Sequence, residues 1–287
     1  MRDGYGNGAE AREVNKGDAL RGIDPTVPSV ARIYDYYIGG KDNFAVDREA
    51  ADEAAKAHPG GLDALRSGGL ENRRFLANAV NYLAGEGIRQ FLDIGTGLPT
   101  ADNTHEVAQR AAPSSRIVYV DHDPVVLAHA RALLTSTPEG ATSYLDADLR
   151  DPDAILAQAA VTLDFSKPVA VMLIAILHVI DDADNPYRIV RDLMAAMPPG
   201  SYLAISHLTA DIAATAEAEA MRFFARALSE RMVENMVLRD RAEMTRFFDG
   251  LELVEPGVVQ ADQWRTGADP SVPSKVAVYC GVGRKPG

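Results

Sequence analysis

The feature that most constrains this chain is one run, Phe91-Leu92-Asp93-Ile94-Gly95-Thr96-Gly97-Leu98-Pro99-Thr100. Phe91 to Ile94 read as the end of a buried strand, with Asp93 a carboxylate at its tip. Gly95 and Gly97, with Thr96 between them, let the backbone turn sharply past a ligand with no Cβ in the way. A strand, a glycine turn and a helix in succession make a nucleotide pocket at the carboxyl ends of an open α/β sheet.

An acid ahead of the glycines repels the pyrophosphate of a dinucleotide. It suits S-adenosylmethionine, which carries an ammonium and a sulfonium and no phosphate. Asp-x-Gly-x-Gly alone recurs by chance, so the strand tips further along the chain carry more weight. Arg116–Val120 is a second apolar strand, ending in Asp121-His122-Asp123-Pro124. Asp121 lies beyond Gly97 at close to the spacing of about 20 residues at which a second-strand acid meets ribose hydroxyls. Asp123 fits better as the cap of a helix starting at Pro124. Thr142–Leu145 is a third strand, and its tip carries Asp146 and Asp148. Either acid can accept from an adenine amino group while a neighbouring N–H donates to the ring; Asp148, followed by the apolar Leu149, is the first choice and Asp146 the second. The alternative is that these acids and Asp151 only start a helix around Pro152–Ala160. Val169–Leu177, which contains Ala175, is almost wholly apolar, as a strand buried on both faces should be. It ends at His178, so four successive strand tips present polar groups on one edge.

With these motifs the sequence resembles a bacterial class I S-adenosylmethionine-dependent methyltransferase family, long catalogued as a domain of unknown function. The matching residues are the run at 91–100, His105-Glu106-Val107-Ala108-Gln109, and Tyr119-Val120-Asp121-His122-Asp123-Pro124. Upstream, Ala31-Arg32-Ile33-Tyr34-Asp35-Tyr36-Tyr37-Ile38-Gly39-Gly40-Lys41-Asp42-Asn43-Phe44 matches the N-terminal signature. The likeness runs from about residue 27 to the C-terminus. It implies a Rossmann-like α/β fold, S-adenosylmethionine as cofactor with S-adenosylhomocysteine as product, and methyl transfer to an acceptor the family does not specify. One departure stands out. Where many class I enzymes have a third glycine, this chain has Pro99, which lacks an N–H and delays the helix. Asn103 and Glu106 read as a capping box that starts it near Thr104.

Three parts are expected: residues 1–27 as a disordered tail poor in apolar side chains, residues 28–88 as a helical cap, and residues 89–287 as the cofactor-binding domain. Val30, Ile33, Tyr34 and Tyr37 form an apolar stripe on one helix face. Gly39-Gly40 breaks that helix, and helical sequence resumes from Val46. Beyond strand four, Tyr202–His207, Glu252–Val259 and Lys275–Gly281 complete a seven-stranded, mostly parallel sheet. Its last two strands form an antiparallel hairpin. Helices ahead of the first strand of such a fold commonly close over the cofactor. Arg32, Tyr37 and Asn72 are therefore cofactor candidates, with Tyr36, Lys41 and Arg73 behind them. A packed stripe or a charged helix face explains the same residues equally well.

Composition narrows the function. The 287 residues are 47% hydrophobic with a formal net charge of −12. No basic stripe is present, which argues against tight nucleic-acid binding and for a small molecule, or else a protein, as acceptor. Cys280 is the only cysteine, so neither an intrachain disulfide nor a thiolate cluster can form. It reads as a buried thiol in a late strand. No apolar run is long enough for a membrane span or signal core, so a cytoplasmic protein is expected. The six histidines contain no metal-ligand spacing, so no metal is expected. His178 is the one catalytic candidate, either a general base or a wall residue bonded to Asp181 or Asp182. His122 beside the ribose acid joins the cofactor set, whereas His105 and His207 are weaker. Trp264 either lines a substrate pocket or covers the core edge. Two rival functions are an NAD(P)-linked oxidoreductase, which lacks its third glycine at Thr100, and a binding module without turnover.

Overall fold

The computed structural model describes residues 24–56, 58–133, 136–213, 215–268 and 272–287. The tail expected over 1–27 lies outside the described residues as far as position 23. Three helices come first: α1 (Val30–Tyr37), α2 (Ala45–Ala55) and α3 (Gly61–Gly85). Next come β1 (Gln90–Ile94), α4 (Thr104–Ala111), β2 (Arg116–Asp121), α5 (Pro124–Leu133), β3 (Ala141–Asp146), α6 (Pro152–Ala159) and β4 (Ala170–Ile174). The rest comprises α7 (Pro186–Ala195), β5 (Tyr202–Leu208), α8 (Thr215–Ser229), α9 (Arg241–Arg246), β6 (Glu252–Leu253), β7 (Val259–Gln260) and β8 (Val278–Arg284).

The strands form one sheet in the order β3-β2-β1-β4-β5-β8-β6, with β7 also on β8. The first five are mutually parallel, and β8 runs antiparallel to β5. β1 and β4 are buried along their whole length, as central parallel strands require. Alternate residues of these strands enter two cores. Leu92, Val118, Leu173 and Leu203 pack with α6, α7 and α9, while Phe91, Ile117, Met172 and Ala204 pack with α3 and α4. Trp264 is fully buried in the second core, edge-on to Phe75 and Tyr82; it is a core residue and lines neither site cavity. Cys280 is likewise buried there.

Three strand expectations need correction. The fourth strand ends at Ile174, because Ala175 takes a left-handed φ of 55° and the chain turns into a short 3-10 segment, Leu177–Val179. The run Glu252–Val259 is interrupted: β6 and β7 pair with separate parts of β8. Pro256 sits between them with no N–H to give the ladder. β8 starts at Val278, three residues later than Lys275, and runs on to Arg284.

The N-terminal signature is largely architectural. The Asp35 carboxylate accepts from the Asp42 N–H at 2.9 Å and from Asn43 Nδ2 at 2.8 Å, folding the Gly39–Asn43 loop against α1. A Cβ on Gly40 would overlap that carboxylate. Asp47, fully buried in α2, accepts from the Ser29 N–H, the Phe44 N–H and Arg32 Nε at 2.8 to 2.9 Å. Its charge is thus both paired and hydrogen-bonded, the condition for burying it. α1 and α2 share a third core with α8, through Ile33, Tyr37, Ala51, Met221, Phe224 and Leu228.

This packing gives a prediction. Gly40→Ala is expected to cost about 1–3 kcal/mol, the usual range for overpacking, measured by urea denaturation; a change below about 0.5 kcal/mol would contradict the steric argument.

Candidate functional site

The sheet order reverses between β1 and β4, and the helices that follow them, α4 and α7, pack in opposite cores, which opens a crevice at the strands' carboxyl ends. Gly95 turns there with φ of 74°, its N–H donating to Val120 O at 2.8 Å. A Cβ on Gly95 would stand 2.5 Å from Ile176 Cγ1, so the two loops touch only because glycine is present. Gly97 also has positive φ, 65°, and open space where a Cβ would lie. Thr96 is pinned by its Oγ1 donating to Asp93 O at 3.1 Å.

The resulting cleft encloses about 310 Å³. Gly95, Thr96, Gly97, Asp121, His122, Ala175 and His178 all line it, together with Arg32 and Asn72. Nine of the expected positions therefore meet around one space. α1 approaches from above, where Ser29 Oγ donates to Asp123 Oδ2 at 2.7 Å and ties the N-terminal helix to the tip of β2.

Asp121 organises the turn. Its Oδ2 accepts from the Gly97 N–H and its Oδ1 from the Asp123 N–H, both at 2.9 Å. Burial raises its pKa. Asp123 caps α5, accepting from the Val125 N–H at 2.8 Å. His122 Nε2 lies 3.7 Å from Glu234 Oε1, and that carboxylate raises the histidine's pKa. Asp93 sits beneath the glycine turn. It is buried, accepts from Thr104 Oγ1 at 2.6 Å, and has its pKa pushed up by burial to about 6.

Several candidates are placed elsewhere. Asp93 itself does not line the cleft. Asp148 pairs with Arg150 at 3.3 Å and caps the Arg150 N–H, and Arg150 is drawn in turn to Asp184 at 2.7 Å. Leu149 is buried in the sheet core, and Asp146 is exposed. None of these three β3-tip residues lines the cleft. Tyr37 lies on a second cavity: its hydroxyl donates to Ala51 O at 3.2 Å and its ring packs near Phe224. Tyr36 donates to Asp52, and Lys41 is exposed outside both cavities. Arg32 reaches the cleft wall, but its Nε and Nη2 are held by Asp47 and Val27 O.

That second cavity, about 490 Å³, shares Val30, Tyr34, Asn72, Ala175 and His178 with the cleft. At this boundary two buried polar atoms have no partner among the described residues, Asn72 Oδ1 and His178 Nδ1. The Asn72 orientation is set by its neighbours. Tyr34 OH donates to Gly69 O at 3.0 Å, so it must accept from Asn72 Nδ2, leaving Oδ1 as the free acceptor.

His178 is bonded to neither Asp181 nor Asp182. Asp181 accepts from Asn235 Nδ2 at 2.9 Å, and Asp182 from Arg239 Nη2 at 2.6 Å. Burial, then the Arg239 charge, lowers the His178 pKa to about 3, so its ring is neutral. His207 packs edge-on against it. Arg239 donates to His207 Nε2 at 2.8 Å, which assigns the ring hydrogen to Nδ1 and its bond to Leu208 O. Arg239 also donates to Leu177 O and Ile180 O, clamping the loop that carries His178. Arg239, Tyr34 and Ser29 escape sequence reasoning as site residues. Arg239 carries no motif, and Tyr34 reads as one more position of the apolar stripe. His105 is taken up by Tyr119 OH beneath α4. Among the described residues no cluster of metal-ligating side chains is found, and no helix is long and apolar enough to cross a membrane.

Comparison with known proteins places this geometry. Residues 16–286 match the family model described as S-adenosyl methyltransferase. The chain is 46% identical to a DUF574 family protein from Streptomyces avermitilis, with a TM-score of 0.84 over 92% of this chain and 99% of that one. It is 42% identical to a methyltransferase candidate from Thermobifida fusca, with a TM-score of 0.83 over 93% and 98% of the two chains. A more distant likeness, at 14% identity and a TM-score of 0.52, is to an O-methyltransferase family protein from Burkholderia thailandensis; it covers 94% of this chain and 67% of that one and shows the fold alone. No curated protein matches the sequence.

The buried Asp93 yields a pH prediction. Its folded pKa lies above the ordinary value of 3.8. Its contribution is therefore fully present below about pH 4 and is lost as pH rises through about 6. Relative to Asp93→Asn, the native chain should lose up to about 3 kcal/mol of unfolding free energy across that window, measured by chemical denaturation. Parallel pH profiles for the two proteins would contradict it.

Proposed function

The chain belongs to the S-adenosyl methyltransferase family, and from that premise we propose a division of labour between its two cavities. It is an S-adenosylmethionine-dependent methyltransferase of Rossmann-like α/β fold. When bound, S-adenosylmethionine supplies a methyl group on sulfonium: the acceptor's lone pair takes the carbon, the C–S electron pair stays on sulfur as S-adenosylhomocysteine, and the acceptor sheds a proton.

The residues of the cleft fit that molecule. Each Asp121 oxygen accepts one backbone N–H, and an ionised carboxylate has about four acceptor positions, so each oxygen retains capacity for a ribose hydroxyl. Gly97 offers bare backbone over open space. Asn72 Oδ1, an unsatisfied acceptor, suits an ammonium. Arg73 lines the cleft and uses Nη2 on Ala101 O and Asp102 O. Its remaining N–H groups can meet a carboxylate, a role that Arg32, neutralised by Asp47, fills less well. Asp93, beneath the turn, adds negative potential toward a cation. His122 and Ala175 complete the walls. Asp148 and Leu149 would join the adenine only if the Arg150 pair opened.

The acceptor belongs in the larger cavity, which meets the cleft at Asn72, Ala175 and His178. A small molecule is the acceptor this space favours. Sulfonium is an activated leaving group, so orientation alone supplies much of the acceleration, about 7–11 kcal/mol in favourable model cases. The protein's task is then to position two reactants, with His178 the polar group at their junction. The observation that carries this reading is the Asp121 carboxylate beside the Gly97 turn.

Asp121→Ala is expected to weaken S-adenosylhomocysteine binding at least tenfold, about 1.4 kcal/mol, by calorimetry. Unchanged affinity would refute the ribose assignment, and thermal stabilisation by NAD but not by S-adenosylmethionine would overturn the cofactor reading.

A further inference from the structure

We infer that the acceptor is a neutral, largely apolar small molecule carrying one hydroxyl, its body filling the 490 Å³ cavity and its hydroxyl meeting His178 Nδ1. This rests on the cofactor occupying the adjoining cleft.

The first ground is the lining. One side of the cavity is built by α8 and the segment after it, through Met221, Phe224, Leu228, Met232 and Met236. Three unbranched thioethers adapt to irregular apolar shapes. A cavity of this size falls in the usual range for drug-sized ligands, about 300–1,000 Å³. Among the described lining residues only Glu217 and Lys275 carry a fixed charge. They lie 4.0 Å from each other, and Lys275 is 80% exposed, so this pair marks the mouth. Burial lowers the pKa of His58, His178 and His207 alike, so the three imidazoles are neutral. A carboxylate, phosphate or ammonium on the acceptor would enter unpaired, which costs far more than burying an apolar body.

The second ground is the polar end. Among the described residues His178 Nδ1 is buried without a partner at the boundary with the cleft, and leaving a buried polar atom unpaired costs free energy. The loop around it is held by Arg239, and the carboxylates next along that loop are already engaged, Asp181 by Asn235 and Asp182 by Arg239. A hydroxyl donating to Nδ1 satisfies the atom and places its oxygen lone pairs at the junction with the cofactor's side. Neutral His178 serves as that acceptor in its Nε2–H tautomer, and its neighbour His207 is fixed as the Nδ1–H tautomer and does not compete.

The test uses the full chain and three naphthalene probes, with binding followed by calorimetry in saturating S-adenosylhomocysteine. 1-Naphthol is expected to bind at least tenfold more tightly than 1-naphthyl phosphate. It should also exceed 1-methoxynaphthalene, which has no donor, and that preference should vanish in His178→Phe. Gly68→Leu projects from α3 at a cavity-lining position where a Cβ meets no atom within 4 Å, and leucine has the better helix propensity. Leu228→Asp places a charge in the apolar wall. Both should lower naphthol affinity at least tenfold while S-adenosylhomocysteine affinity stays within twofold, which also shows that the variants fold. Phosphate binding as tight as naphthol binding, or naphthol affinity indifferent to both substitutions, would overturn the inference. Loss of S-adenosylhomocysteine binding by the native chain, with naphthol still bound, would instead overturn the cofactor reading.

Discussion

The close approach of two loops at the sheet's reversal point is the constraint on which the site depends. Gly95 leaves β1 pressed against Ile176, which leaves β4, with no room for a Cβ. That contact exists because β1 and β4 are neighbours while their helical connections run to opposite sides. It forces both backbones into left-handed turns, at Gly95 and at Ala175. Alanine in that region carries a cost of order 1–3 kcal/mol, tolerated where surrounding structure fixes it. Here Ser206 does so, its carbonyl and hydroxyl both accepting from the Ala175 N–H. The strained residue lines both cavities, so the strain lies where the two reactants would meet.

Around this point the electrostatics are arranged for a cation. Asp93 is buried and Asp121 half-buried, and desolvation raises both pKa values. Among the described residues neither has a side-chain ion pair of its own, whereas the buried acid of the N-terminal helices, Asp47, is matched by Arg32. A positively charged ligand would relieve the desolvation of Asp93 and Asp121 and favour their ionised forms. The larger cavity has the opposite character, with neutral imidazoles at one end and methionines along a wall. One molecule thus holds an acidic half-site and an apolar half-site side by side.

The N-terminal helices connect the two. Asp47 binds the start of α1 to α2, Asp35 folds the loop between them, and Ser29 ties α1 to Asp123 at the sheet edge. α8, inserted after β5, completes the core with α1 and α2. The conspicuous Gly39–Phe44 signature therefore serves mainly to hold α1 in place, and α1 in turn presents Tyr34 and Val30 to both cavities.

Much of this was legible from the chain itself because it is encoded locally. The apolar runs define the parallel strands, the Asn103–Glu106 pair sets the start of α4, and the interval from Gly97 to Asp121 brings a carboxylate onto the glycine turn. Strand tips fall on one edge whenever strands are parallel, so Asp121, Ala175 and His178 could be expected together. Tertiary contacts decided the rest. Arg150, beside Asp148, reaches to Asp184, Arg32 turns to Asp47, and Tyr37 to the α8 core, each drawn by a partner whose proximity no local pattern records. The clamp of Arg239 on the His178 loop spans about sixty positions of sequence. Side-chain type and spacing fixed which residues stood near the cleft; long-range packing and ion pairing chose which of them face it.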